Sequence, residues 1–151
     1  MRRVGLVLVM MAVALVVGSG AAVAAVKFGT NGSDELFGTK GEDVLYGKGA
    51  RDLVDGQNGS DVLFGGPGND SMCGDDCLQG LGTGNDVMFG GRGSDEMTGD
   101  GGADTLYGQR GDDFIAGMSG RDTIFCGPGK DTVYYRKGVD RIFGCERKHP
   151  S

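Results

Sequence analysis

From Asp34 to Asp70, and again from Asp86 to Asp140, every ninth residue is an aspartate. The residue two places beyond each is apolar: Leu36, Leu45, Val54, Leu63, Met72, Met88, Met97, Leu106, Ile115, Ile124, Val133 and Ile142. The residue two places before it is glycine everywhere except at Ala50. A unit of nine residues cannot bury its own apolar side chain and must stack on its neighbours, so the chain is constrained to a solenoid. Gly90–Thr98 shows the unit in full: a glycine-rich turn of six residues ending in Asp95, then a three-residue strand centred on Met97.

One strand and one turn do not close a coil, but two units do, with a strand on each side and a turn at each end. A rung then takes eighteen residues. Consecutive rungs pair as parallel strands at a spacing of about 4.8 Å. Position eight faces inward, and within each uninterrupted run the position-six aspartates of every second unit stack in a column: Asp34, Asp52 and Asp70 on one edge and Asp43 and Asp61 on the other, then Asp95, Asp113 and Asp131 on one edge and Asp86, Asp104, Asp122 and Asp140 on the other.

Aspartate also suits a glycine-rich turn for local reasons, through hydrogen bonds to its own backbone. A column of carboxylates is different, because two like charges about 5 Å apart at an effective dielectric near 20 repel by roughly 3 kcal/mol. Repeated at each rung, that repulsion opens the coil unless a cation lies between the turns. Calcium accepts six to eight oxygen ligands in flexible geometry, whereas magnesium demands a stricter octahedron and zinc prefers His or Cys. The single histidine, His149, lies beyond the repeats and reads as solvent-exposed. All twelve position-six aspartates are therefore candidate calcium ligands, together with turn carbonyls that glycine leaves unobstructed.

These residues resemble the hemolysin-type calcium-binding, or RTX, repeats, whose unit is GGxGxDxUx with U apolar. Gly65–Cys73 and Gly90–Thr98 match every defined position. The resemblance implies an all-β parallel β-roll, a right-handed solenoid with two nonapeptides per rung, holding several calcium ions between adjacent turns and folding in response to them. The departures bear on individual sites. The second glycine is present only at Gly66, Gly82, Gly91 and Gly127, which marks the other turns as looser matches. Leu81, Cys126 and Tyr135 stand at position one of three repeats, which puts those turns in doubt.

The remaining sequence sets the boundaries. Arg2 and Arg3 precede an uncharged run from Val4 to Val26 containing Ala22-Val23-Ala24, the small-x-small pattern of a signal peptidase site. Residues 1–24 are read as a cleaved signal peptide, with a membrane anchor as the alternative. A short lead, 25–28, follows, then the roll over 29–143 with an insertion at 74–80, and a tail over 144–151. The expected localisation is secreted and extracellular. The whole chain carries 21 acids against 15 bases; without Arg2 and Arg3 the bases fall to 13 and the net charge to near −8. That balance disfavours nucleic acid, whose phosphates select basic clusters.

The insertion is either an excursion that keeps the register or a shortened half-rung in which Asp76 and Leu78 imitate Asp and U. The excursion aligns Tyr46, Phe64, Phe89, Tyr107, Phe125 and Phe143 in one outer ladder, and such neighbours stabilise a sheet, so the excursion is favoured. Cys73 and Cys77 are placed to pinch the insertion, and Cys126 and Cys145, nearly one rung apart, to staple the last rung; four free thiols are the alternative. No GxSxG, HExxH or histidine within the repeats offers a catalytic base, and no small-molecule substrate is evident, so an enzyme is not expected. The expected function is calcium binding that stabilises the roll and triggers its folding. The alternative is an adhesion or surface-assembly module that meets a protein or cell-surface partner through the outer aromatic face.

Overall fold

The computed structural model describes residues 24–76 and 82–150. The expected signal peptide, apart from Ala24, and Cys77 lie outside the described residues. Strands form where the repeat places an apolar residue between two that face outward, and they assemble into two parallel seven-stranded sheets. The first runs β1 (Val26–Phe28), β3 (Val44–Tyr46), β5 (Val62–Pro67), β7 (Val87–Arg92), β10 (Thr105–Arg110), β13 (Thr123–Phe125) and β15 (Arg141–Phe143). The second runs β2 (Glu35–Thr39), β4 (Leu53–Gln57), β6 (Ser71–Cys73), β8 (Glu96–Thr98), β11 (Phe114–Ala116), β14 (Thr132–Tyr135) and β16 (Arg147–Pro150). A small third pair, β9 (Gly101–Gly102) and β12 (Ser119–Gly120), links two successive turns. The described residues contain no helix, and the chain is a parallel β-solenoid of about seven turns.

The core is the single file of position-eight side chains that the period demands. Leu45, Leu63, Met88, Leu106 and Ile124 from one sheet face Val54, Met72, Met97, Ile115 and Val133 from the other, all essentially without solvent exposure. Each rung contributes only two such residues, worth roughly 1.5–3 kcal/mol apiece. The core is therefore thin, and the turns on either side must hold as well.

Register passes unbroken across the insertion. Leu63 pairs with Met88 and Phe64 with Phe89 in the first sheet, while Met72 pairs with Met97 in the second. This is the excursion geometry, and it brings the outer rings into one stack. Phe28, Tyr46, Phe64, Phe89, Tyr107, Phe125 and Phe143 follow one another with ring centroids 4.6 to 5.0 Å apart and planes within 14° of parallel. The position of the insertion differs from the sequence reading in one respect. Gly74, not Leu81, heads the enlarged turn: its N–H donates to Thr98 O at 2.9 Å, as Gly47 N–H donates to Phe64 O at 2.7 Å. The extra residues thus fall inside a turn, between its first glycine and Gly84, where they leave both strands untouched.

The segment read as a tail adds one more strand, β16, in register with β14 from Thr132↔Arg147 to Tyr135↔Pro150. Exposed His149 stacks on Tyr134 at 4.8 Å. Cys126 and Cys145 are joined, with Cα atoms 5.2 Å apart, and tie this last rung to the one before. Cys73 is also disulfide-bonded.

Candidate metal centre

Each position-six aspartate ends its turn, so its backbone and side chain both face the adjacent rung. One carboxylate oxygen is spent on holding that rung. Asp34 N–H donates to Asp52 Oδ1 at 2.9 Å, Asp43 to Asp61 at 2.8 Å, and Asp52 to Asp70 at 2.9 Å. The pattern crosses the insertion, with Asp61 donating to Asp86 and Asp70 to Asp95, and runs on to Asp122 and Asp140. At the C-terminal end Glu146 Oε2 replaces the missing aspartate and accepts from Asp131 N–H at 3.0 Å. All twelve sequence-assigned aspartates are therefore brought into two columns, one along each edge of the solenoid.

The second oxygen divides them. Asp52, Asp61, Asp70, Asp86, Asp95, Asp104, Asp113, Asp122 and Asp131 have an Oδ2 atom that is buried and has no hydrogen-bond partner. These nine residues are at most 2% exposed. A buried polar atom without a partner costs free energy, more so when it carries charge. In Asp34, Asp43 and Asp140 the same atom is held by the protein: Thr30 N–H donates to Asp34 Oδ2 at 2.6 Å and Thr30 Oγ1 at 2.9 Å, Thr39 N–H donates to Asp43, and Arg136 N–H donates to Asp140.

Burial is the main cause of the carboxylates' altered acidity. It pushes Asp61 and Asp104 up to about 8, Asp86 and Asp95 up to about 7, and Asp52 and Asp113 up to about 6. The accepted backbone N–H works in the opposite direction, and carboxylates on neighbouring rungs add to the rise. Burial also raises Asp70, Asp122 and Asp131. Nine carboxyls that resist ionisation in the protein alone are the electrostatic signature of a column built to be neutralised by something else.

The position-one glycines make room for that column. A Cβ at Gly47 would lie 2.6 Å from Asp52 Oδ2 and 2.6 Å from Gly65 O on the next rung, and one at Gly65 would lie 2.5 Å from Asp70 Oδ2 and 2.6 Å from Gly90 O. A side chain there is excluded, while a carboxylate oxygen and a carbonyl oxygen from successive turns are gathered around the same glycine. Among the described residues no three Asp, Glu, His or Cys side chains close into a cage by themselves. Carbonyls must therefore supply much of any coordination shell, a donor set of hard oxygens that suits calcium.

Three further acids, Asp75 and Asp55 buried and Asp100 half-buried, escaped the periodic reading because they stand outside position six. Asp75, in the insertion, has no exposure; its Oδ1 and Oδ2 accept long bonds from Gly84 N–H (3.3 Å) and Gly101 N–H (3.4 Å), spanning two turns. Asp55, at position nine, is 3% exposed and accepts from Gln57 N–H. Asp100 is pushed up to about 6 by burial and by the charges of Asp75, Asp55 and Asp76. For Asp75 and Asp100 the only signal in the sequence was an acid where the unit calls for its second glycine, and Asp55, at the unrestricted position nine, gave none.

Parallel rungs whose turns carry a continuous column of buried carboxylates define a repeat protein of the β-solenoid class with cation-binding turns. The family model of the RTX calcium-binding nonapeptide repeat matches in four copies, at residues 28–63, 46–76, 81–115 and 107–142, and the chain belongs to that family. Comparison with curated proteins finds no match.

Proposed function

We propose that this is a secreted, non-enzymatic calcium-binding protein whose ions lie between adjacent turns and whose folding is triggered by extracellular calcium. The observation that carries the reading is the set of nine buried Oδ2 atoms without a partner, each on a rung of an otherwise hydrogen-bonded ladder. Asp52, Asp61, Asp70, Asp86, Asp95, Asp104, Asp113, Asp122 and Asp131 would hold the ions together with turn carbonyls. Calcium would supply the positive charge that a thin core and repelling carboxylates lack. Export is argued from Arg2, Arg3, the apolar run and Ala22-Val23-Ala24. Disulfides fit an oxidising compartment. The aromatic row fits a structural role, since most of its ring faces are covered by the next ring.

Extracellular modules bind calcium with dissociation constants of about 10⁻⁴ to 10⁻³ M, and an ion that binds only the folded state stabilises it by mass action. Far-ultraviolet circular dichroism should lose its β signal in excess chelator and regain it in millimolar calcium. A spectrum indifferent to both treatments would falsify the calcium-dependent fold.

A further inference from the structure

The two kinds of turn differ at one residue, position two. Apart from the turn enlarged by the insertion, every turn whose aspartate has a free Oδ2 carries a positive φ there: Lys48 (84°), Gln57 (70°), Asp100 (65°), Gln109 (75°), Met118 (63°) and the glycines 66, 91 and 127. Five of these eight are not glycine, so loss of the second glycine does not by itself close a turn, although the three closed turns all lack it. The three turns whose Oδ2 is satisfied carry Thr30, Thr39 and Arg136, none with a positive φ.

The stereochemistry connects the two observations. Reversing the peptide between positions one and two changes the sign of φ at position two, as between type I and type II turns, and exchanges which way its N–H and C=O point. With φ negative, the N–H points back at the aspartate of its own turn and takes up Oδ2. With φ positive, that N–H is turned away, and the carboxylate keeps one oxygen for an external partner. Threonine is branched at Cβ and strongly resists positive φ, so Thr30 and Thr39 hold the first two turns in the inward-pointing form. At the other end Arg136 O accepts from Val139 N–H and Asp140 N–H in a tight turn that fixes the same form.

We infer that calcium is confined to the turns of Asp52, Asp61, Asp70, Asp86, Asp95, Asp104, Asp113, Asp122 and Asp131, and that in every turn but the enlarged one of Asp86 the residue at position two decides this. The turns of Asp34, Asp43 and Asp140 are closed by the protein's own N–H groups and fold without an ion. They flank the calcium-filled interior as the outermost turns of the described stack, the place where a solenoid's repeats depart from the repeating pattern. This assignment rests on the calcium reading above.

The test is a calcium count by titration calorimetry on the folded chain, with circular dichroism in saturating calcium confirming that each variant keeps its β signal. Thr39→Gly frees the turn of Asp43 and should raise the count by roughly one ion, and Thr30→Gly should do the same at Asp34. Gln57→Thr closes the turn of Asp61 and should lower the count by roughly one or weaken one site at least tenfold. A wild-type protein that binds no calcium overturns the functional reading itself. A wild type that binds calcium, with folded variants whose counts and affinities are unchanged, leaves that reading standing and overturns the position-two rule.

Discussion

The interior rungs and the end rungs are built from the same nonapeptide, yet they solve the carboxylate problem differently. Between β4 and β13 each position-six aspartate gives one oxygen to the rung before it and keeps the other buried and unpartnered. At the ends, Thr30, Thr39 and Arg136 consume that second oxygen, and Glu146 with the Cys126–Cys145 bond completes the last rung. An interior turn has a rung on both sides and can share an ion with it. Among the described residues an end turn has a rung on one side only, and there internal donors take the place that an ion shared between two rungs would fill.

The largest effect that would break this comparison is that of pH on the metal-free protein. In chelator the interior carboxyls hold protons up to about 6 to 8 when folded, against about 3.9 when unfolded. The folded state binds more protons across that window, so stability is greatest below about 3.9 and is lost as pH rises through the folded values. In chelator the β signal lost at neutral pH should return in part at pH 5 and stay absent at pH 8, with hydrogen-exchange protection gained first in β5, β7 and β10. Calcium should reverse the trend, since it needs the deprotonated ligands. A metal-free protein less stable at pH 5 than at pH 8 would contradict the buried-column account.

Smaller effects sharpen the same contrast. Leu106→Ala, at a fully buried interior position, should cost about 2–5 kcal/mol in calcium. Ile142→Ala on the half-covered last rung should cost clearly less in the same denaturant titration; equal losses would show that the end rung is packed as tightly as the middle. Smallest of all, Phe89→Ala removes two ring stacks and Phe28→Ala only one. At about 0.5–1.5 kcal/mol per stack, the interior variant should lose the more stability.

Most of the fold was legible because the period is short and strict. A polar residue and an apolar one two places apart, repeated twelve times, leave little choice but short parallel strands around a single-file core. The aromatic ladder was readable across the insertion, since only an unbroken register stacks Phe64 on Phe89. The placement of the insertion was not, because Gly74 and Leu81 compete for position one and only the hydrogen bond to Thr98 O chooses between them. Asp55, Asp75 and Asp100 were missed because they enter the turns from off-period positions.

By itself, then, the sequence determined the rung, the inward file of apolar residues and the two columns of aspartate, since all three follow from periodicity and stacking. It also fixed which residues stand at position two. Only the tertiary structure decided which carboxylates remain unpartnered. That outcome depends on the orientation of one peptide plane per turn, a difference between an N–H pointing in and an N–H pointing out that no residue pattern states directly.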